Sequence, residues 1–370
     1  MQYVHLAGTN AKGSTAQYIA DIISQEHSCG LFTSPHIISP RERMEIDGEQ
    51  ISQAEYDDYM ERARGDGSKH LFCVWTHAAL AWFADRGVEY AVIETGLGGR
   101  LDPTNIVPAK MQVLTPISYD HMTALGSTLT QIAREKCGII KQDSVVISHP
   151  QEEEAMRVIR QTCKGKNARL IVLDEKKINV KESSTHGQRF DFSYEGRLYK
   201  GLTVRAASPM QVENACVALM AAVELGMGGD AIRKGLAQTE IPARAQISGK
   251  MVIDGAHNPA AMRELANTVR KYYPHEDVTV LAAVMRDKDI ESVAGEIKSF
   301  ANRVVCTCAE KKRGMPAGEL AQYFDRAKAI EDPDYALTEA QRLAGQKKGI
   351  LVVCGSFYLA AHALRVSAEA

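Results

Sequence analysis

The sequence predicts an α/β protein: an N-terminal domain of mostly parallel sheet entered through a P-loop-type turn, then a smaller C-terminal Rossmann-like α/β domain. Three observations predict it. Near-continuously apolar runs such as "YAVIE" (90–94) alternate with stretches of helical periodicity, as strands covered on both faces require. The chain opens on strand, Gly-rich turn and helix, "QYVHLAGTNAKGSTAQYIADII" (2–23). Its 370 residues exceed the roughly 250 to 300 at which one core stops growing, so two domains are expected.

In order along the chain, Gln2 to His5 reads as a short buried strand and "GSTAQYIADIISQ" (13–25) as a helix with an apolar face. A short strand precedes Ser34, and further strands are expected at "YAVIE", "QVLTPI" (112–117), "SVVIS" (144–148) and "RLIVL" (169–173). Residues 187–204, "GQRFDFSYEGRLYKGLTV", change character: alternating aromatic and polar residues around "YEGR" predict an antiparallel hairpin decorating the first domain. "SPMQVENACVALMAAVEL" (208–225) is a helix, and "TEIPARAQISG" (239–249) has the Pro, Gly and polar content of a linker. The boundary falls near Ile241, giving domains 1–240 and 241–370. Beyond it strands at 251–255, 278–284, 303–308, 327–330 and 349–355 alternate with helices at 259–273, 289–300, 316–324, 335–345 and from about Phe357.

Bulk properties narrow the function. With 44 Lys plus Arg against 46 Asp plus Glu, the net charge of −2 provides no global field for nucleic acid or an anionic membrane, so any anion must be held by a local site. No apolar run is long enough to span a bilayer and no secretory leader is evident, so a cytoplasmic location is expected. The further expectation is a monomer acting on small molecules. The eight cysteines lack C-x-x-C spacing and read as reduced, structural thiols, the close pair Cys306 and Cys308 included.

Several stretches carry chemistry. "GTNAKGST" (8–15) departs from G-x-x-x-x-G-K-[ST], yet Gly8 and Gly13 supply flexibility, Lys12 a cation, and Ser14 or Thr15 a helix cap beside a phosphate. An ordinary strand-to-helix turn with a solvated lysine would look similar. Ser34 and His36 in "TSPHIISPRERMEIDGEQIS" could reach Mg²⁺ or substrate, or merely start a loop. Glu94, at the C-terminal end of an apolar strand, needs a cation or donor to justify its burial; beside a phosphate loop such a carboxylate could hold Mg²⁺, and a glycine-rich turn with an accidental Glu is the alternative. The glycines of "GLGGR" (96–100) would let backbone approach a ligand, with Arg100 and Asp102 in the same turn. Asp120 and His121 follow another buried strand, and a helix there carries Lys136; alone, that histidine reads as a core residue and that lysine as a surface charge. "MVIDGAHNPAAM" places Asp254, His257 and Asn258 in a strand-to-helix turn of the second domain.

In order and spacing these stretches resemble the Mur ligase superfamily, and most closely its dihydrofolate synthase and folylpolyglutamate synthase branch. The resemblance runs from "HLAGTNAKGST" through "IETGLGGRLDPTNIV", "ISYDHMTALGSTLTQIAREKCGIIK", "MQVENACVAL" and "IPAR" to "IDGAHNPAA" and "CGSFYL". It implies an ATP-dependent amide ligase that phosphorylates a folate or dihydropteroate carboxylate and lets the amino group of L-glutamate attack the acyl phosphate. It implies that Thr9, Asn10, Ala11, Lys12, Gly13 and Ser14 hold the ATP phosphates, with Ser34 and Glu94 on one Mg²⁺ and His121 on a second. Lys136 would be carbamylated to support that second metal. Asn214, Arg244, Asp254 and His257 would meet ATP, and Phe72, Cys73, Leu101, Asp102 and Pro103 would line the pteroate site. Lys12, His121, Lys136 and Arg244 would carry the catalysis, since moving a phosphoryl group onto a carboxylate joins two anions and needs cations and positioning. Closure of the second domain on ATP is expected.

Four departures stand out. Ala11 and Ala243 occupy positions where the family has glycine, Cys73 stands where it commonly has Phe-Glu, and family members usually carry a longer segment before the first strand. Two alternatives follow: the same chemistry on a non-folate carboxylate, or a nucleotide-binding protein without turnover. Retention of Lys12, Glu94, His121, Lys136 and Asp254 argues against the second.

Overall fold

The structure, a computed structural model, describes residues 1–65 and 70–369. The chain begins with β1 (Gln2–Ala7), α1 (Lys12–Ile23), β2 (Cys29–Phe32), the short strands β3 (Met44–Ile46) and β4 (Glu49–Gln50), α2 (Gln53–Gly65), α3 (Leu71–Asp85) and β5 (Tyr90–Glu94). Then come β6 (Met111–Leu114), α4 (Met122–Leu125), α5 (Leu129–Cys137), β7 (Val145–Ser148), α6 (Glu153–Gly165) and β8 (Arg169–Val172). The strands make one sheet in the order β4-β3-β2-β5-β1-β6-β7-β8, parallel except for the β2-β3-β4 meander. β1 lies inside it, with β5 and β6 as neighbours, so the loops after β1, β5 and β6 emerge side by side at one sheet edge. Every residue of β5 is buried because α1 and α3 cover its two sides, which is why its sequence is apolar until Glu94.

β9 (Ile178–Ser184), β10 (Gly187–Tyr194) and β11 (Arg197–Val204) form a separate three-stranded sheet in the order β11-β10-β9. The expected hairpin is β10–β11, its Phe190, Phe192, Tyr199, Leu202 and Val204 buried. β9 escaped sequence reading because its residues are nearly all exposed and carry no apolar alternation. α7 (Met210–Glu224) and α8 (Gly229–Gln238) follow.

Beyond them β12 (Gln246–Ser248), β13 (Met251–Ile253), α9 (Pro259–Tyr272), β14 (Val278–Ala282), α10 (Ile290–Lys298), β15 (Arg303–Cys306), α11 (Ala317–Ala321), β16 (Ala327–Ala329), α12 (Pro333–Gln346), β17 (Ile350–Cys354) and α13 (Phe357–Glu369) build a second sheet, ordered β12-β13-β17-β14-β15-β16. Part of the expected linker is therefore a strand: β12 pairs antiparallel with β13 at the sheet edge. α9, α10 and α11 pack on this sheet over an aliphatic core that includes Val252, Val280, Ile297 and Val352, and α12 and α13 also pack against its strands. The chain divides into two compact units, one of residues 1–182, 188–205 and 211–239, the other of 183–187, 206–210 and 240–370. All eight cysteines are free thiols, Cys306 buried and Cys308 half-buried. No helix among the described residues is long and apolar enough to cross a membrane.

Candidate functional site

The loop after β1 is pinned from one side. A Cβ on Gly8 would lie 1.8 Å from the Thr115 hydroxyl, so only glycine fits there. The Thr9 and Asn10 N–H groups donate to the Pro116 carbonyl at 2.9 and 3.3 Å, and the Thr9 hydroxyl donates to the Ser118 carbonyl while accepting the Ser118 N–H, both at 3.0 Å. Ala11 then turns the chain into α1 at φ 67° and ψ −2°, the left-handed region that favours glycine. The alanine thus keeps a glycine-like backbone at the cost of strain. Ala11 offers no side-chain cap to α1, so the capping position leaves the first-turn N–H groups of the helix unsatisfied.

Glu94 emerges from β5 directly onto this loop. Its side chain is 3% exposed, accepts the Ser34 N–H at 2.8 Å and lies 3.6 Å from Lys12 Nζ. A Cβ on Gly13 would come within 3.3 Å of the same carboxylate, which explains the glycine after the lysine. Lys136, on α5, is also buried and donates from Nζ to the Gly8 carbonyl at 2.7 Å. Burial, reinforced by the Lys12 charge, lowers its pKa to about 7. Lys12, Gly13, Ser34, Glu94 and Lys136 are therefore gathered at one place. His121 starts α4 with φ 50°, and its Nε2 lies 3.9 Å from Asp120 Oδ1, the same oxygen that accepts the His121 N–H at 2.8 Å.

The glycine-rich loop after β5 is explained differently from the sequence expectation. Its glycines meet protein: Cβ atoms on Gly96 and Gly99 would strike the Phe72 ring and the carbonyls of Glu135 and Lys136, and Gly98 has φ 70°. Asp102 has protein partners in the same loop. Its carboxylate accepts the N–H groups of Leu97 and Thr104 and the Thr104 hydroxyl, and that hydroxyl meets buried His5 Nε2 at 2.8 Å. These contacts hold Asp102 in place within the loop, with one donor on Oδ2 against two on Oδ1. Leu101 beside it is 77% exposed, and Pro103 opens a 3₁₀ turn. Phe72, tilted against Phe32 at 5.7 Å, and half-buried Cys73 lie on the first turn of α3.

Asn214 is fully buried on α7 and belongs to a chain of side chains that sequence reading missed. Its Oδ1 lies 3.0 Å from His149 Nε2, its Nδ2 donates to Gln211 Oε1 at 3.0 Å, and Gln211 Nε2 reaches the Ser14 hydroxyl at 3.5 Å. Burial lowers the His149 pKa to about 4, so it is a neutral strut.

In the second unit, Asp254 accepts the N–H groups of Ala245 and Ala256, both at 2.6 Å, and burial raises its pKa against the opposing pull of Arg244. The Arg244 guanidinium lies 4.7 Å from the centre of the Phe357 ring, which also meets the His257 ring at 5.6 Å. Phe357 was a missed partner: its ring fills the space a Cβ on Gly255 would take. Ala243 and Ala245 flank Arg244 at φ 55° and 49°, so the second alanine in a family glycine position also holds a left-handed backbone.

The family model for the Mur ligase middle domain matches residues 6–222, and that for the Mur ligase glutamate ligase domain matches residues 243–357. The chain belongs to the Mur ligase family. Membership makes this Mur ligase an ATP-dependent ligase. It is 32% identical over 353 residues to the dihydrofolate synthase/folylpolyglutamate synthase of Mycobacterium tuberculosis, covering 86% of this chain and 72% of that one. With the Escherichia coli protein of the same name it shares 30% over 368 residues, covering 98% and 85%. Among solved structures, M. tuberculosis folylpolyglutamate synthase complexed with ADP and AMPPCP superposes with a TM-score of 0.91 at 29% identity, over 99% of this chain and 91% of that one. The E. coli enzyme in complex with DHPP and ADP gives 0.89 at 29%, over 100% and 89%.

Proposed function

We propose that this Mur ligase activates the carboxylate of a folate or dihydropteroate with ATP and joins it to L-glutamate. The observation that carries the reading is the buried Glu94 carboxylate, held by the Ser34 N–H and Lys12 against the loop that starts α1. Lys12 and the uncapped α1 N-terminus would bind the ATP phosphates, with Thr9, Asn10, Ala11, Gly13 and Ser14 shaping the cradle and the His149–Asn214–Gln211 chain fixing Ser14. Arg244, Asp254 and His257 are assigned to the nucleotide by the same reading.

One buried carboxylate and one hydroxyl suit Mg²⁺, which takes few protein ligands and fills its shell with phosphate oxygens and water. Glu94 and Ser34 would hold one ion and His121 a second; when bound, Mg²⁺ neutralises the phosphates. A Lys136 amine with a pKa of about 7 is substantially neutral at physiological pH, the form that adds CO₂ to give a carbamate. The carbamate would turn a cation into a carboxylate-like support for the second ion.

In the reaction an acceptor carboxylate oxygen attacks the γ-phosphorus and ADP leaves. The glutamate amine then attacks the acyl carbon, loses a proton, and phosphate departs with the oxygen that bridged it. Lys12 offsets charge during the transfer, and the helix N–H groups orient the nucleotide. Phe72, Cys73, Leu101, Asp102 and Pro103 would form the acceptor side. The same reading has the protein working as a cytoplasmic monomer.

Half-buried Cys73, in place of the family's carboxylate, favours a second reading, a ligase for another carboxylate. Release of ADP with Mg²⁺, ATP and glutamate against dihydropteroate, tetrahydrofolate and unrelated carboxylates tests both. Turnover with a pteroate supports the first reading; turnover only with another acceptor replaces it with the second.

A further inference from the structure

The three-stranded sheet and α8 border an open surface cleft of about 500 Å³, lined by Lys181, Arg189, Asp191, Lys200, Gly201 and Arg233. Four cations surround one carboxylate, in a chain whose net charge is −2. We propose that this cleft is a binding site for a small phosphate-bearing anion, separate from the nucleotide site.

The cleft is built by an interruption in the β10–β11 ladder. Pairing passes from Phe190–Leu202 to Phe192–Tyr199, so the strand opposite Asp191 carries the extra residue of a β-bulge, with Gly201 at φ 63°. The Gly201 N–H donates to Asp191 Oδ1 at 2.7 Å, while Asp191 Oδ2 lies 3.7 Å from Lys181 Nζ. That carboxylate is spent on organising the rim. The carbonyls of Lys200 and Gly201 accept from Arg233 Nη1 at 2.6 and 3.4 Å. Neutral acceptors thus fix the guanidinium without cancelling its charge.

Among the described residues neither Lys200 nor Arg233 enters an ion pair. Arg189 is paired at 3.4 Å with Glu182, but both side chains are more than half exposed, so water screens that pair. A pocket lined mainly by one sign of charge concentrates counter-ions, and guanidinium forks with ammonium groups match phosphate oxygens. The site is remote from the loop that starts α1. α8 lies against the other end of α1: a Cβ on Gly235 would be 2.5 Å from Ile22 Cα, and the Gly228 N–H donates to Glu26 at 3.1 Å. The twelve residues of α1 span about 18 Å. An anion in the cleft is therefore not the phosphate being transferred.

The test measures binding of inorganic pyrophosphate to the full-length protein saturated with Mg²⁺ and a non-hydrolysable ATP analogue, so that the nucleotide site is filled. Wild type should bind one equivalent, and the doubly substituted Lys200→Gln/Arg233→Gln protein should bind it about tenfold or more weakly, with the ATP analogue bound as before. A parallel titration with AMP shows whether the phosphate is preferred free or on a nucleoside. No binding to wild type, or equal binding to the variant, overturns the proposal. Tighter binding of γ-linked triglutamate than of pyrophosphate overturns the assignment to phosphate. None of these readouts requires the ligase reaction, so they stand or fall apart from the proposed function.

Discussion

Ala11→Gly should stabilise the protein, although glycine usually destabilises. Ala11 sits at φ 67° and ψ −2°, where a residue with a Cβ pays about 1–2 kcal/mol. Glycine removes that strain but raises the entropy of the unfolded chain, an opposing term of about 0.4–1 kcal/mol. The net expectation is a gain of about 0.5–1 kcal/mol, or a rise in Tm of roughly 1–4 °C. Ala11→Val should move the other way, because a β-branched side chain is less tolerated at positive φ. Calorimetric melting of the ligand-free protein, wild type against both variants at one pH and salt concentration, reads the difference. Ala243→Gly, at φ 55°, should repeat the sign. A lower Tm for Ala11→Gly would refute the reasoning, since it would mean that the methyl group makes contacts worth more than the strain.

Other outcomes follow from the same geometry. Glu94→Ala should lower Mg²⁺-dependent turnover by more than about a hundredfold while circular dichroism and melting show a folded protein; near-normal turnover removes Glu94 from the metal site. Protein incubated with ¹³C-bicarbonate should show a carbamate carbon resonance that is missing from Lys136→Gln, and an identical spectrum for the two would disprove the modification. His149 has a folded pKa of about 4, below its unfolded value of about 6.5, so the unfolded chain takes up the proton first as the solution is acidified. Its contribution is present above pH 6.5 and lost between about 6.5 and 4, some ~3 kcal/mol in all. Urea unfolding across that window should therefore fall less steeply for His149→Gln than for wild type, and parallel curves would contradict the strut assignment.

Much of this was legible in the sequence because it is local. A strand, a glycine-bearing turn and a helix lie within residues 2–23, and Glu94 ends an unbroken apolar strand; each signal fits in one window. Position along the chain also revealed the alternating second unit. What stayed hidden depends on partners far apart. His149, Gln211, Asn214 and Ser14 meet only because β7, α7 and α1 are packed around one sheet edge, and no spacing rule links them. The partners of Asp102 were hidden for a related reason: an acidic residue beside glycines suggests a ligand, and no spacing rule shows that Thr104 and Leu97 donate to it. The "GLGGR" glycines likewise make room for Phe72 and the end of α5, which lie about twenty-five and thirty-five residues away in the chain. The exposed strand β9 carries no apolar period to announce it.

If ATP activates the carboxylate as an acyl phosphate before glutamate attacks, one carboxylate oxygen leaves with the phosphate. An acceptor whose reacting carboxylate carries ¹⁸O, incubated with Mg²⁺, ATP and glutamate, reports that transfer through mass spectrometry of the released phosphate. One ¹⁸O is expected in each phosphate, in step with amide product. Amide formed alongside unlabelled phosphate would contradict it.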